Sequence, residues 1–243
     1  MNARTSHRRL RAGLVLTTLA IALLALAPGA LGGTKLPKTF PVGGELVKPA
    51  VKVHAEPNVK SKVVRVLKQF RPDFHFQVLL ILAAERDAKG KWWYKLSVPG
   101  RPNSQRGWIR ANEAEWWFVP NRIVIHRVSR KLEVIRMKDG KVLVSGTVAV
   151  GKPGAETPLG RDFYVQSRFV PTNTFLGVFA LETSAYSRLT DWPGGGVAGI
   201  HGTSAPQLLG QAVSHGCIRV HNEVAAKLKT LAPLGTPIDI LEN

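Results

Sequence analysis

The sequence predicts a mainly β chain with little helix, built as a small β-barrel followed by a larger β-rich domain. Three observations carry this. Short apolar runs rich in Val, Ile, Trp and Tyr recur along the chain, separated by Gly, Pro and Asn turns. Several of these runs alternate with charged residues, as half-buried strands do. Helical spacing is clear only near the C-terminus, where Val224, Ala225 and Leu228 share one face. With 243 residues, 44% of them hydrophobic, the chain can form one large domain or two small ones.

The N-terminus is set apart from the fold. Arg4, Arg8, Arg9 and Arg11 precede an uncharged apolar run at 13–27, and the small residues Pro28, Gly29 and Ala30 follow. This reads as a secretory signal peptide over 1–30, cleaved near Ala27 or Ala30. The run is shorter than the roughly 20 residues a membrane span needs. Stable membrane insertion is therefore expected only if the signal stays uncleaved as an anchor. Residues 31–47 read as a linker, because Pro37, Pro41, Gly43 and Gly44 interrupt any periodicity.

Residues 48–119 read as the barrel. Val51 and Val53 alternate with Lys52 and His54, and Pro57-Asn58 marks a turn. Further strands are expected at 63–67, 78–83, 92–96 and 107–109. Trp92, Trp93 and Trp108 are expected in the core rather than on a ligand platform. A joint at 113–120 follows, where Trp116, Trp117 and Phe118 are expected to pack between domains, since so much aromatic surface is rarely left bare.

Residues 122–243 form the second domain. Strands are expected at 123–125 and 132–136, with a hairpin at Asp139-Gly140 leading into 142–150. Another strand covers 163–165. The glycine-rich loop 191–196 lacks the lysine and the following helix of a phosphate loop, so it reads as the rim of a cleft. One or two helical turns are expected over 205–211. A helix N-capped by Asn222 ends before Pro233, and a strand at 238–241 closes the domain.

The formal net charge is +18, from 34 Lys and Arg against 16 Asp and Glu. Four of the arginines lie in the signal. A surface this basic calls for an anionic neighbour or is simply solvated charge that keeps the chain soluble. Export argues against nucleic acid as that neighbour and favours anionic cell-wall polymers.

The chemistry centres on Cys217, the single cysteine. It cannot form an intramolecular disulfide, and a lone thiol in an exported protein is an oxidation liability unless it is used. A thiol near neutral pH is a weak nucleophile until a base takes its proton, and imidazole suits that task. His201 and His215 both lie upstream. Gly216 permits a sharp turn, and the amides of Gly216 and Cys217 are candidates for stabilising an oxyanion. Arg219 shares a face with Cys217 in an extended segment, where it can pair with a substrate carboxylate. The opposing reading makes Cys217 a small buried hydrophobe.

The string Ser214-His215-Gly216-Cys217-Ile218-Arg219, with Ile200-His201-Gly202-Thr203 upstream, resembles the signature of the L,D-transpeptidase (YkuD) catalytic domain family. The likeness covers about 122–243. It includes the strand hairpin, Val150-Gly151-Lys152 and Thr157-Pro158-Leu159-Gly160. Two residues, Arg161 and Asp162, stand before Phe163 where the family has one. Residues 48–119 resemble a bacterial SH3-like domain in the opening at 51–57, the strand at 92–95 and the closing Gly107-Trp108-Ile109.

The resemblance implies a β-sandwich catalytic domain with short helices, preceded by an SH3-like barrel that binds the wall. It implies Cys217 as nucleophile and His201 as its base, oriented through a carbonyl of the Gly202-Thr203 backbone. Ser214, His215 and Gly216, with the Cys217 amide, fall in the oxyanion region, and Arg219 contacts substrate. His221 has no implied role, and no metal or cofactor is implied. The implied substrates are peptidoglycan stem peptides, in the periplasm or cell wall. The cysteine attacks the third residue of a tetrapeptide stem, releases D-alanine and passes the acyl group to an amine of a second stem. Water in place of the amine gives L,D-carboxypeptidase activity. A cysteine peptidase of wall peptides, or a wall-binding protein with an inactive second domain, are the other readings.

Overall fold

The computed structural model describes residues 36–191 and 193–243. The expected signal at 1–30, the start of the expected linker and Trp192 of the glycine-rich loop lie outside the described residues. Among the described residues, no helix is long and apolar enough to cross a membrane.

The first seven strands are β1 (Val42–Leu46), β2 (Ala50–His54), β3 (Val63–Lys68), β4 (Val78–Arg86), β5 (Trp92–Ser97), β6 (Arg106–Arg110) and β7 (Ala114–Trp117). They form a barrel-like antiparallel sheet in the order β3-β2-β6-β5-β4-β1-β7. Trp93 and Trp108 are buried, and Trp92 packs against the barrel core. Two expectations are corrected here. The linker expected over 31–47 contains β1, which lies between β4 and β7. Its sequence hides this because Gly43 and Gly44 carry no side-chain signal. Yet both glycines are required: a Cβ at Gly43 would lie 2.4 Å from Trp117 Nε1, and one at Gly44 would lie 2.5 Å from the Glu115 carbonyl. The joint at 113–120 contains β7, and of its aromatics Phe118 is 61% exposed rather than packed.

The second set is β8 (Asn121–His126), β9 (Lys131–Arg136), β10 (Val142–Gly151), β11 (Gly160–Phe169), β12 (Ala180–Tyr186), β13 (Val197–His201), β14 (Ala212–Ser214), β15 (Ile218–Val220), α1 (Asn222–Leu231) and β16 (Pro237–Leu241). The long strands β10 and β11 act as corners. The first half of β10 pairs with β9, and its second half turns to β15 and β14. Likewise β11 pairs first with β16 and then with β12. The strands thus fall into two layers, as in a sandwich, with the main apolar core of Ile123, Leu132, Val148, Leu181, Ile200 and Ile218 between them. The segment expected to hold one or two helical turns at 205–211 has one short turn, Pro206–Leu208.

The barrel and the sandwich belong to one compact unit. The apolar run of β4 shows why they dock. Leu79 and Ile81 point into the barrel core, while Val78 and Leu80 point the other way onto Tyr164 of β11. The buried Tyr164 hydroxyl donates to the Val78 carbonyl at 3.1 Å. Trp117 Nε1 donates to the Leu234 carbonyl at 3.0 Å. Gly235 approaches so closely that a Cβ there would lie 2.6 Å from the Gly43 Cα.

Helix α1 buries Val224, Ala225 and Leu228, the face read from the sequence. Its cap differs from the expectation. His221 is the N-cap, its Nδ1 accepting from the Glu223 amide at 3.4 Å. Asn222 sits inside the helix, and its side chain turns to other work described below.

Candidate active site

Two neighbouring strands build the site. β13 and β15 run parallel, with Ile200 opposite Ile218 and His201 opposite Arg219. Continued one step back, this register sets Cys217 beside Gly199, and the Gly199 amide donates to Cys217 Sγ at 3.4 Å. Residues two apart share a face, so His201 and Cys217 end on the same side. Both line a cavity of about 290 Å³, together with Phe169, Leu176, Leu181 and Glu182. A Cβ at Gly199 would crowd the Leu181 carbonyl at 3.2 Å and lie 3.8 Å from Cys217 Sγ.

His201 is buried and fixed at one ring nitrogen. Its Nδ1 lies 2.6 Å from the Gly202 carbonyl. A carbonyl only accepts, so Nδ1 carries the proton, and Nε2 of the neutral ring keeps its lone pair. Burial pushes the imidazole below the ordinary histidine range; the Gly202 hydrogen bond opposes this and the Arg219 charge adds to it. The Phe175 ring lies 6.2 Å from the His201 ring, and the Arg219 guanidinium sits 5.0 Å from the centre of the same Phe175 ring. Arg219 is thus placed beside the cavity, stacked on an aromatic face, with its Nε buried and without a hydrogen-bond partner.

Cys217 sits at the end of a tight turn. Gly216 has φ of +113°, which an L side chain rarely adopts, and a Cβ there would lie 2.7 Å from Ser187 Cβ. The buried Ser214 hydroxyl donates to the Cys217 carbonyl at 2.6 Å and accepts from the Gly216 amide at 3.2 Å. The Gly216 N–H, one of the two amides named for an oxyanion, is engaged by Ser214. His215 is half-buried beside this turn. Burial pushes the Cys217 thiol upward, opposed by the Gly199 amide and the Arg219 charge.

Three supports were not legible as such in the sequence. Thr157 is fully buried; its hydroxyl accepts from the Gly151 amide at 2.9 Å and donates to the Gly216 carbonyl at 3.0 Å. It ties two segments noted in the sequence, 150–152 and 157–160, to the cysteine turn. Asn222 braces the histidine segment: its Oδ1 accepts from the amides of Thr203 at 3.2 Å and Val178 at 3.3 Å, and its Nδ2 donates to the Thr203 carbonyl at 3.1 Å. Arg101 reaches across from the barrel, and its Nη2 donates to the carbonyls of Ser187 at 2.7 Å, Leu189 at 3.0 Å and Gly195 at 3.0 Å. That holds the glycine-rich loop, whose Gly194 lines the cavity.

Residues 120–240 match the family described as the YkuD L,D-transpeptidase catalytic domain. This segment belongs to that family. The chain is similar to the YkuD protein of Bacillus subtilis, at 33% identity over 102 residues, which cover 42% of this chain and 56% of that protein. It is also similar to the YkuD protein of Bacillus licheniformis, at 32% identity over 122 residues, covering 50% of this chain and 66% of that protein. The chain thus spans less than two thirds of the length of either Bacillus protein. A crystal structure of an L,D-transpeptidase from Mycobacterium tuberculosis is 14% identical, with a TM-score of 0.44, over 68% of this chain and 90% of that one. In this YkuD domain, Cys217 and His201 line one cavity.

Proposed function

We propose that the chain is an exported L,D-transpeptidase acting on peptidoglycan stem peptides. One observation carries the reading. Within a YkuD domain, the single thiol and a histidine with a fixed tautomer open into the same cavity from adjacent parallel strands. Burial favours the uncharged form of both groups, so the resting pair is a thiol and a neutral imidazole.

The steps follow from that state. His201 Nε2 takes the Cys217 proton as sulfur attacks the carbonyl carbon of the third residue of a tetrapeptide stem. The Cys217 amide stabilises the oxyanion. The intermediate collapses by breaking the bond to the terminal D-alanine, whose amine receives the proton held by His201. A thioester remains on Cys217. An amine of a second stem gives a proton to Nε2, attacks the thioester and releases the thiol, leaving a cross-link between third residues. Arg219, beside the cavity, pairs with a substrate carboxylate. The basic surface suits an anionic wall, and export through the signal at 1–30 brings the enzyme to it.

The test is the full mature protein and its Cys217→Ala variant with tetrapeptide-bearing wall fragments, with products read by mass spectrometry. Cross-linked dimers and free D-alanine from the first alone are expected. Equal product from both refutes the assignment.

A further inference from the structure

A groove of about 790 Å³ runs between the barrel and the sandwich and adjoins the cysteine cavity, with Glu182, Gly194 and Val197 lining both. The size is that of a site for a ligand larger than one residue. Its barrel wall carries Arg65, Lys68 and Arg71, and only Asp73 and Glu182 oppose them as carboxylates in the lining. Arg71 lines the groove beside Glu182, which lines both spaces. Its Nη2 holds Asp73 at 2.9 Å and, across the interface, Glu182 at 2.7 Å. Its Nη1 is buried and has no hydrogen-bond partner. A buried guanidinium nitrogen without an acceptor is costly, and a carboxylate is the acceptor it matches best.

We propose that this groove is a peptide subsite, in which the Arg71 side chain, which lines the groove, turns to bring the buried Nη1 to a carboxylate of a stem peptide that leads into the Cys217 cavity. The inference rests on the function proposed above and adds to it. The barrel becomes one wall of the substrate site, and Arg71 becomes a specificity residue supplied from outside the YkuD domain. Either the acyl donor or the amine-bearing acceptor carries the required carboxylate, and the two are separable by experiment.

Binding is measured on full-length mature protein carrying Cys217→Ala, so that no turnover is needed. The probes are a stem tetrapeptide and an amine-bearing stem tripeptide, each with free carboxylates and with those carboxylates amidated. Arg71→Gln should raise Kd roughly tenfold for at least one of the free-carboxylate peptides, in line with loss of one charge-assisted hydrogen bond. It should leave the amidated form of that peptide unaffected. The peptide that loses affinity is the one seated in the groove. Arg71→Lys should recover part of the loss. Lys68→Gln, at an exposed position of the same wall, should weaken the same peptide less, and it keeps the test open if Arg71→Gln does not fold. Unchanged Kd for both peptides in the folded Arg71 variants, or equal loss for free and amidated forms, overturns the proposal. Failure of the transpeptidase reading looks different: Kd still depends on Arg71, while the unmodified enzyme makes no product.

Discussion

Replacing Thr157 with valine removes one hydroxyl and little volume. The side chain is 0% exposed, so water cannot take over its two hydrogen bonds. The Gly151 amide and the Gly216 carbonyl both lose their partner in a buried setting. A buried polar group left unsatisfied costs about 1–3 kcal/mol, so two of them cost roughly 2–6 kcal/mol. Against a usual total of about 5–15 kcal/mol, that is a large fraction. Thr157→Ser separates the cause, because it keeps the hydroxyl and gives up a methyl worth about 0.8 kcal/mol. Urea denaturation of the three proteins gives the comparison. Valine should lower the midpoint far more than serine. The Gly216 carbonyl also anchors the turn that presents Cys217, so iodoacetamide should alkylate Cys217 at a changed rate in the valine variant. A loss below about 0.5 kcal/mol, within the range of an ordinary surface change, refutes the reasoning. So does a serine variant as damaged as the valine one.

Three further predictions concern the histidine segment and its surroundings. Asn222→Ala removes three hydrogen bonds to the Thr203 and Val178 backbone and should cost about 1–3 kcal/mol in urea denaturation, with Asn222→Asp retaining the two bonds made by Oδ1 and losing less. The acid limb of turnover should report His201, which must be neutral to accept a proton. Since its folded value is lowered, the inactive protonated form gains ground only below the ordinary pKa of about 6.5. Activity should therefore persist as pH falls through 6.5. His201→Ala should lower turnover by about 10²–10⁴-fold, while His221→Ala, at a helix cap, should not. An acid limb above 6.5, or equal losses in the two variants, reassigns the base.

Much of the strand pattern was readable because one face of each strand is buried. Val51 and Val53 are buried while Lys52 between them is exposed, and the run at 78–81 is apolar throughout because both faces of β4 are covered. Strands β1 and β12 were not readable. β1 reads as a linker through its two glycines, which are there for close approach to β7. β12 contains Thr183 and Ser184, polar residues that look like a loop; buried, they bond the Ala198 carbonyl and the Tyr164 amide. At the site, Cys217 and His201 stood out through residue type and local spelling. Thr157 acts on Gly216 across 59 positions, and Arg71 acts on Glu182 across 111. No local pattern reports contacts at such separations. Asn222 was legible as a polar residue at a helix start, but the same residue type serves either as a cap or as a clamp on a neighbouring loop, and only the fold decides which.

The central claim is that Cys217 carries the acyl group. Intact-protein mass spectrometry of the mature enzyme, mixed with a stem tetrapeptide and no acceptor amine and quenched in acid at short times, tests it most directly. The predicted result is a mass increase equal to the tetrapeptide less D-alanine, the thiol proton having left on the D-alanine amine, mapped to Cys217 after proteolysis and absent in Cys217→Ala. Product released with no adduct at any time in the mature enzyme, or an adduct of the same mass in Cys217→Ala, would contradict it.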